Sequence, residues 1–522
     1  MWLTWLVGLF FVPFGAGEPC SPRNYQGAFN NVVCVCNVTF CDKIEEIGEI
    51  GAGKAIVYRS TLDGDRLRRM SVKMAAASGA DTKWHESVNV TITVDASERF
   101  QTIIGFGGAF TDSAGDQMAA VDERLQNHIL ESYFGSDGLE YNVGRVPMAS
   151  CDFSTHEYSY DDVADDFELK HFALTDEDLR LKIPFIRRAV ELSGGSLKLF
   201  ASPWSAPGWM KSTGRMRGGG AMRSDPRVHA AYADYFVRFF DAYATHSIQF
   251  WAVTIQNEPS TGADMTWRWQ TMNFTAETQR DFLRDHLGPR LKAHATTRAL
   301  KVMILDDGRG LLPGWADTIL NDTEARKYAD GVAVHWYGDL YSPPVLLDIT
   351  QRHHPDKFIF GTEACTGYFG HHGPIMGDWF RAESYADDII TDLNHHVAGW
   401  TDWNLCLDET GGPNWVYNVV DAPIIVNRTA QEFYKQPMFY AMGHFSKFVP
   451  RGSRRVLTKV QGNLAVSATS VVMEGGRRTT VILSKASTPV TARLVDASTG
   501  YSTVLNLPPR SIHTLIWDKK KQ

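Results

Sequence analysis

Two glutamates stand where short apolar runs of the chain end. Glu258 lies in Asn257-Glu258-Pro259, just after the run 250–254, and Glu363 follows the run 358–362. Retaining glycoside hydrolysis requires two carboxyl groups about 5–5.5 Å apart, one to attack the anomeric carbon and one to protonate the leaving oxygen. A single glutamate is more often a solvated loop charge, but both of these lie in a frame of Asn, Trp and Tyr residues. The pair therefore predicts glycosidase chemistry.

Motifs for metal, serine and nucleotide chemistry are incomplete. His156-Glu157 is followed by Tyr160, where a zinc-protease helix needs a second histidine. Residues 111–115 lack the leading glycine of a nucleophile elbow. Residues 105–108 are glycine-rich but lack the Lys-Ser/Thr of a phosphate-binding loop, which favours a tight strand end there. We expect neither a metal nor another cofactor.

Eight short apolar runs, each ending in polar or aromatic residues, supply elements that would position the glutamates. Stretches with apolar residues at three- and four-residue spacing separate them; in one, residues 226–243, Asp225 can cap a helix. This alternation predicts a (β/α)8 barrel, whose chemistry lies at the carboxyl ends of its strands. An open doubly wound sheet is the alternative, but no Gly-x-Gly-x-x-Gly follows any run. The runs are 102–106, 141–145, 197–202, 250–254, 302–306, 332–335, 358–362 and 398–402.

The two ends of the chain have a different pattern. Residues 49–99 and 453–518 alternate apolar and polar side chains without long helical periods, which is typical of β-structure. Two β-rich ends around a barrel predict one all-β domain built from both termini. Residues 1–12 are apolar and 13–17 bring small residues, which predicts a signal peptide cut near Gly17.

Composition narrows the class of protein further. The chain has 522 residues and a formal charge of −8, with 44% hydrophobic and 21% charged residues. These fractions exclude bulk disorder, and the acidic balance makes nucleic acid a poor partner. After the N-terminal segment, no run approaches the ~20 apolar residues of a membrane span.

Cysteines and sequons fit a chain that enters the secretory pathway. Cys20, Cys34, Cys36 and Cys41 crowd together, and four cysteines allow three pairings between which the sequence does not choose. A zinc knuckle is the rival interpretation, disfavoured by the one-residue gap between two of them. Five N-x-Thr sequons are candidate glycosylation positions: Asn37, Asn89, Asn273, Asn321 and Asn427.

Nine longer motifs lie between residues 105 and 440, within a likeness that runs from Cys20 to Trp517. They are GFGGA at 105–109, RVPMASCDFS at 145–154, ASPWSAP at 201–207, FWAVT at 250–254, NEP at 257–259, AVHWY at 333–337, GWTDWN at 399–404, GGPNW at 411–415 and YKQPMFY at 434–440. Together these motifs closely resemble glycoside hydrolase family 30, and within it the lysosomal branch that acts on glucosylceramide.

The resemblance implies a (β/α)8 TIM barrel, a β-sandwich domain built from both chain ends and a small disulfide-bearing antiparallel sheet. It also implies Cys20–Cys34 and Cys36–Cys41 bridges. The predicted units are a signal peptide at 1–17, the small sheet at 18–48 and 405–437, the sandwich at 49–99 and 453–522, and the catalytic barrel at 100–404 and 438–452.

By the same resemblance Glu258 is the acid/base and Glu363 the nucleophile of a retaining β-glucosidase that cleaves glucosylceramide through a covalent glucosyl-enzyme. Asn257 would bond the sugar 2-hydroxyl, where contacts tighten in the transition state. The residues expected to bind the sugar are Asp152, Trp204, Asn257, Tyr337, Trp403 and Asn418.

Three further residues would tune the two carboxyls. Arg145 and Tyr337 can each donate a hydrogen bond to Glu363 and keep it ionised, with His335 as a supporting residue. The charge on Glu363 should help Glu258 hold its proton. Once Glu363 is glycosylated that charge is gone, so Glu258 can deprotonate the attacking water.

The resemblance also implies partners and a location. They are glucosylceramide in bilayers, anionic lipid, a saposin-like activator and a lysosomal sorting receptor, with the chain on the lumenal membrane face of the lysosome or secreted. Aromatic residues after the fourth and seventh runs could form an exposed rim that contacts lipid. They are Trp267, Trp269, Phe274, Tyr368, Phe369 and Trp379.

Alternatives concern the substrate and turnover. The same mechanism could act on another β-glycoside, such as a sterol glucoside or a β-xyloside, because the loops after runs four, six and seven depart from the family pattern. From another class, the chain could be a glycolipid-binding protein that has lost turnover.

Overall fold

A computed structural model describes residues 18–27, 31–76 and 88–519. The predicted signal peptide at 1–17 lies outside the described residues. Among the residues described, no helix is both long and apolar enough to cross a membrane.

Eight parallel strands close into a barrel, as the sequence predicts, and the open-sheet alternative is wrong. Each strand pairs with the next along the chain, and the last pairs with the first through Gly399 and Gly105. The strands are β7 (Gly105–Ala109), β8 (Val143–Met148), β9 (Lys198–Pro203), β10 (Ala252–Thr254), β11 (Lys301–Gly308), β12 (Gly331–His335), β13 (Phe358–Glu363) and β14 (Val397–Asn404).

The glycine-rich segment 105–108 corrects one prediction. It is not the end of a strand but most of β7, and it pairs on both sides. A Cβ on Gly107 would lie 1.7 Å from the carbonyl oxygen of Val143. The glycines therefore allow close approach of neighbouring strands.

Helices cover the outside of the barrel. The predicted helix at 226–243 is confirmed: it begins at Pro226, with the side chain of Asp225 accepting from the Arg227 N–H, and continues to Thr245. The α-helices are α1 (Asp112–Ala119), α2 (Glu123–Phe134), α3 (Ile183–Leu192), α4 (Pro226–Thr245), α5 (Ala276–Phe282), α6 (Gly288–Ala293), α7 (Gly314–Leu320), α8 (Thr323–Arg326), α9 (Val345–His353), α10 (Trp379–Asn394) and α11 (Pro437–Ser446), and π-helical turns at Glu177–Lys182 and Leu283–Leu287 precede α3 and α6.

A five-stranded sheet joins the N-terminal segment to the chain after the barrel. Its order is β1 (Pro22–Tyr25), β2 (Asn31–Asn37), β17 (Glu432–Lys435), β16 (Ile424–Asn427) and β15 (Cys406–Asp408). The pairs are antiparallel except β15–β16, which run parallel at one edge. Disulfides join Cys20 to Cys34 and Cys36 to Cys41, the pairing that the family resemblance implies.

Strands from both ends of the chain enclose a second apolar core. Val57, Val94 and Leu515 lie in it together, so segments more than 400 residues apart share one interior. The order is β4 (Arg68–Lys73), β3 (Lys54–Thr61), β23 (Ser511–Trp517), β20 (Arg478–Ser484), β19 (Val466–Val472), β18 (Arg454–Gly462), β6 (Val90–Thr102), β21 (Val490–Asp496), β22 (Tyr501–Leu507) and β5 (Ala75–Ala76).

Candidate active site

The two glutamates meet at the carboxyl ends of the barrel strands. Glu363 ends β13, and Glu258 follows β10. One carboxylate oxygen of each lies within 4.8 Å of the other. This spacing fits the 5–5.5 Å pair of a retaining glycosidase rather than the 6.5–9.5 Å pair of an inverting one. The Glu363 side chain is 7% exposed and that of Glu258 is 18% exposed, so the former is enclosed and the latter faces the opening.

Arg145 and Tyr337 both bind Glu363, as expected from the sequence. Arg145 Nη1 donates to Oε2, and the Tyr337 hydroxyl donates to Oε1 over 2.7 Å. Burial raises the pKa of Glu363, although Arg145, the charged His335 and the Tyr337 hydrogen bond all favour its ionised form. The expected contacts are present, but enclosure outweighs them and moves the titration of Glu363 upward.

A buried carboxylate that the sequence analysis does not name, Asp306, binds the residues that contact the two glutamates. Asp306, on β11, accepts from Arg145 Nη2 (3.1 Å), His335 Nε2 (3.0 Å), Thr254 Oγ1 (2.6 Å) and Thr362 Oγ1 (2.7 Å). Burial opposes its charge, but Arg145 and His335 outweigh this and lower the pKa of Asp306. Its place at the end of the fifth apolar run, 302–306, was the available sequence signal.

His335 connects Asp306 to Glu258. Its Nδ1 lies 3.2 Å from Glu258 Oε1, and its Nε2 lies 3.0 Å from Asp306 Oδ1. Burial disfavours a charged ring, but the charges of Glu363 and Asp306 outweigh it and raise the pKa of His335 to about 10. The imidazole is therefore a cation within a group of carboxyls.

The backbone at Glu258 adopts an uncommon conformation. Its φ is +41°, in the left-handed region that a residue with a Cβ rarely occupies. The Glu258 N–H donates to the Asp306 carbonyl oxygen over 2.8 Å, and Pro259 begins a short 3₁₀ turn, Pro259–Ala263. Strained backbone of this kind is concentrated at functional sites, where surrounding contacts hold it.

Aromatic and polar side chains expected to bind the sugar lie beside the glutamates, and Trp204 and Trp403 are each only 2% exposed. The rings of Trp204 and Trp403 stack at 5.1 Å between centroids, and the Arg145 guanidinium lies 4.8 Å from the first and 5.4 Å from the second. Asn418 donates to Asp152 over 2.9 Å. Burial, with smaller contributions from both glutamates, raises the pKa of Asp152 to about 7.

A hydrogen bond from Arg145 fixes the orientation of the Asn257 side-chain amide. Arg145 Nη2 donates to Asn257 Oδ1 over 2.8 Å. Because the oxygen is used in this way, the amide nitrogen is the group that remains to donate to a ligand.

The predicted aromatic rim is wrong in part. Phe274 is buried in the main core, and Trp379 is 1% exposed because it begins α10 and donates through Nε1 to Glu383. Phe369 is 78% exposed, as expected, while Trp267, Trp269 and Tyr368 are half-buried. The sequence analysis does not single out the four large apolar residues that are more than 80% exposed in the described part of the chain: Leu340, Tyr341, Tyr417 and Leu464.

The sequons differ in exposure. Asn89 and Asn321 are exposed, and Asn37, Asn273 and Asn427 are half-buried. Asn37 Oδ1 accepts from the Thr39 hydroxyl over 2.8 Å. Glycosylation of all five stays a prediction.

Glu258, His335 and Glu363 are close enough to one another to consider a shared cation. Both ring nitrogens of His335 face carboxylates, and the raised pKa keeps the ring protonated. A protonated imidazole has no lone pair for a metal. The chemistry of this set therefore fits acid, base and nucleophile better than a metal centre.

Comparison with known proteins identifies the family to which the chain belongs. Residues 103–449 match the model of the glycosyl hydrolase family 30 TIM-barrel domain, and residues 452–515 match that of the family 30 beta sandwich domain. The chain belongs to glycoside hydrolase family 30. It is therefore a glycoside hydrolase with a TIM barrel and a C-terminal β-sandwich domain.

Individual relatives cover nearly the whole chain. "Putative glucosylceramidase 3" of Caenorhabditis elegans is 76% identical over 516 residues, covering 99% of this chain and 98% of that protein. Lysosomal acid glucosylceramidase of Mus musculus is 41% identical over 524 residues, covering 99% of each. Among solved structures, SrfJ from Salmonella typhimurium has a TM-score of 0.81 at 27% identity, covering 90% of this chain and 100% of that one.

Proposed function

We propose that this family 30 enzyme is a retaining β-glucosidase that hydrolyses glucosylceramide to glucose and ceramide. The observation that carries the mechanism is the separation of the Glu258 and Glu363 oxygens, within 4.8 Å, with Arg145 and Tyr337 both bound to Glu363. The names of the nematode and mouse relatives, at 76% and 41% identity, support the substrate.

In the first step, a Glu363 oxygen attacks the anomeric carbon while Glu258 gives its proton to the glycosidic oxygen. The bond from carbon to ceramide oxygen breaks, and a glucosyl ester forms on Glu363. Arg145 and Tyr337 hold the two Glu363 oxygens, so the carboxylate is oriented before the sugar binds.

In the second step, Glu258 takes a proton from water and the resulting hydroxide attacks the same carbon. Glucose leaves, and Glu363 returns as a carboxylate. Glu258 can perform both tasks because its 18% exposed side chain is reachable by the leaving group and then by water.

The sugar would be held by groups around this pair. The free amide nitrogen of Asn257 is suited to the 2-hydroxyl, and the Asp152–Asn418 pair can exchange hydrogen bonds with outer hydroxyls. The stacked Trp204 and Trp403 rings offer apolar surface to a sugar face.

The proposal includes location and partners. The predicted signal peptide, the disulfides and the name of the mouse relative support delivery through the secretory pathway to the lysosome, on the lumenal membrane face. Exposed Phe369, Leu340 and Tyr341 support contact with a bilayer. Anionic lipid, a saposin-like activator and a sorting receptor are the partners expected there.

Glucose release from glucosylceramide vesicles at mildly acid pH, with and without anionic lipid, tests the substrate. We expect release that anionic lipid enhances. Cleavage of an aryl β-glucoside without release from vesicles would refute the lipid substrate and favour a sterol glucoside or β-xyloside.

A mechanism-based cyclitol epoxide tests turnover chemistry separately. It should form a covalent bond to Glu363, which peptide mass spectrometry locates. Sugar binding without labelling or hydrolysis would identify a glycolipid-binding protein without turnover.

A further inference from the structure

His335 is enclosed between two carboxyl groups with different surroundings. Asp306 is wholly buried, whereas Glu258 reaches the opening. The His335 side chain is 1% exposed, and each of its ring nitrogens lies within hydrogen-bond distance of one carboxyl. The protonation state of this ring therefore decides whether Glu258 Oε1 faces an N–H donor or a nitrogen lone pair.

The other hydrogen-bond partners of Asp306 determine the protonation of the ring nitrogen that faces it, His335 Nε2. Arg145, Thr254 and Thr362 donate to the Asp306 oxygens in addition to His335. An ionised carboxylate accepts hydrogen bonds and has none to give. Nε2 of His335 therefore carries a hydrogen whichever form the ring takes.

Two states remain for the Glu258 side. If the ring is neutral, Nδ1 has a lone pair and accepts the proton of Glu258, which then points away from any leaving group. If the ring is charged, Nδ1–H donates to Oε1, so a proton on Glu258 must sit on Oε2.

We propose that Asp306 is a positioning residue that keeps His335 doubly protonated, so that Glu258 carries its acid proton on Oε2. This inference rests on the acid/base role proposed for Glu258. Asp306 contacts neither of the reacting carboxyls through its side chain and acts through His335 and Arg145.

The charged groups around His335 agree with this assignment. The carboxyls of Glu258, Asp306 and Glu363 lie around it, the Arg145 guanidinium binds Asp306, and the Tyr337 ring lies 6.1 Å away edge-on. The raised pKa of His335, about 10, matches a ring enclosed by more carboxyls than cations. In the second step the same Nδ1–H stabilises the ionised Glu258.

The first test uses the wild-type chain labelled with ¹⁵N-histidine. At pH 7 we expect NMR shifts of two protonated nitrogens for the ring whose signals disappear in His335→Gln. A neutral ring with one unprotonated nitrogen would overturn the proposal. This measurement stands even if an Asp306 variant fails to fold, and it is independent of substrate.

The second test compares Asp306→Asn with Asp178→Asn on β-glucosides of graded leaving group. Asp178 is also a buried, ion-paired aspartate, but it contacts Lys182, Tyr160 and Tyr243. Because general acid catalysis contributes about 10²–10⁴-fold, we expect Asp306→Asn to lose at least about 10-fold more kcat/KM on an alkyl glucoside than on a dinitrophenyl glucoside. Asp178→Asn should show equal changes on both.

Equal losses on both substrates in Asp306→Asn would overturn the positioning role while leaving the two-glutamate mechanism intact. Failure of the wild-type chain to cleave either substrate or to label Glu363 would instead refute the proposed function. The two failures are therefore distinguishable.

Discussion

Two buried groups of charges in the barrel make an instructive comparison. The Lys182 cluster places Lys182 Nζ 3.1 Å from Asp112 and 3.1 Å from Asp178. The site cluster combines two cations with three carboxyls: Arg145, His335, Asp306, Glu258 and Glu363. In both, carboxyls outnumber cations by one.

The two clusters differ in their hydrogen-bond partners and in their exposure to solvent. The Tyr160 and Tyr243 hydroxyls donate to Asp178, over 2.8 and 2.6 Å, and no charged side chain of the Lys182 cluster is more than 1% exposed. In the site cluster, Glu258 keeps an exposed face. Buried charge alone therefore does not indicate catalysis. The site cluster differs from the Lys182 cluster because it has a reachable carboxyl, Glu258, beside an enclosed one, Glu363.

The largest expected effect tests the enclosed carboxyl of the site cluster. Glu363→Gln keeps the shape of the side chain but removes the charge that we propose attacks the anomeric carbon, so we expect hydrolysis of every glucoside to fall by at least about 10⁴-fold. Steady-state kinetics on aryl and lipid glucosides measures this. Normal turnover would refute the nucleophile assignment.

A matched control for that variant is Glu383→Gln. Glu383 is also a buried glutamate, bound to Trp379 Nε1 at 2.9 Å and Arg510 Nη1 at 2.7 Å. We expect its kcat to stay near the wild-type value, because it lies outside the site cluster.

The next effect breaks the Lys182 cluster. Lys182→Met leaves Asp112 and Asp178 buried without their cation, which costs about 3–5 kcal/mol of unfolding free energy. Denaturant unfolding measures the loss. We expect kcat of the folded enzyme to be unchanged, and a fall in kcat without a loss of stability would contradict the contrast between the clusters.

The comparison also shows what the sequence could predict. Parallel barrel strands are buried on both faces, so they appear as apolar runs, and the residues that end them could be inspected directly. Glu258 and Glu363 were found in this way, and the structure brings them together. Asp306 ends a run too, but its four partners come from four other strands, and that convergence exists only in three dimensions.

The exposure of aromatic side chains was also hard to predict, because it depends on residues that are distant in sequence. Trp379 follows the seventh strand in sequence, which suggested a rim position. In the fold, Arg66 from the opposite end of the chain lies 5.5 Å from its ring centroid, and the ring is enclosed. The sequence around Leu340 and Tyr341 has no distinguishing pattern, although the two residues are 83% and 81% exposed.

A third variant sharpens the role of the reachable carboxyl. Glu258→Gln removes the proton donor, so the first step should slow about 100-fold or more for lipid glucosides and much less for aryl glucosides with good leaving groups. Pre-steady-state glycosylation rates measure this difference. An equal loss with both substrates would count against an acid role for Glu258.

The smallest effect concerns the pH at which Glu363 titrates. The Tyr337 hydroxyl stabilises the ionised form of Glu363 over 2.7 Å, so Tyr337→Phe should raise the pKa of Glu363 further. Activity needs the ionised form and is lost as pH falls through that pKa, so the acid limb of kcat/KM should move upward. A hydrogen bond to a charged group contributes about 1.5–3 kcal/mol, which corresponds to a shift of about one pH unit or more.

Tyr368→Phe provides the control for this shift, because the Tyr368 ring packs edge-on against Tyr337 at 4.9 Å between centroids. It changes the same aromatic surroundings without removing the hydroxyl on Glu363. If both variants moved the acid limb equally, packing rather than the hydrogen bond would set the titration of Glu363. If only Tyr337→Phe moves the acid limb, a tyrosine hydroxyl sets the titration of Glu363. In the Lys182 cluster, the same kind of group only satisfies a buried aspartate, Asp178.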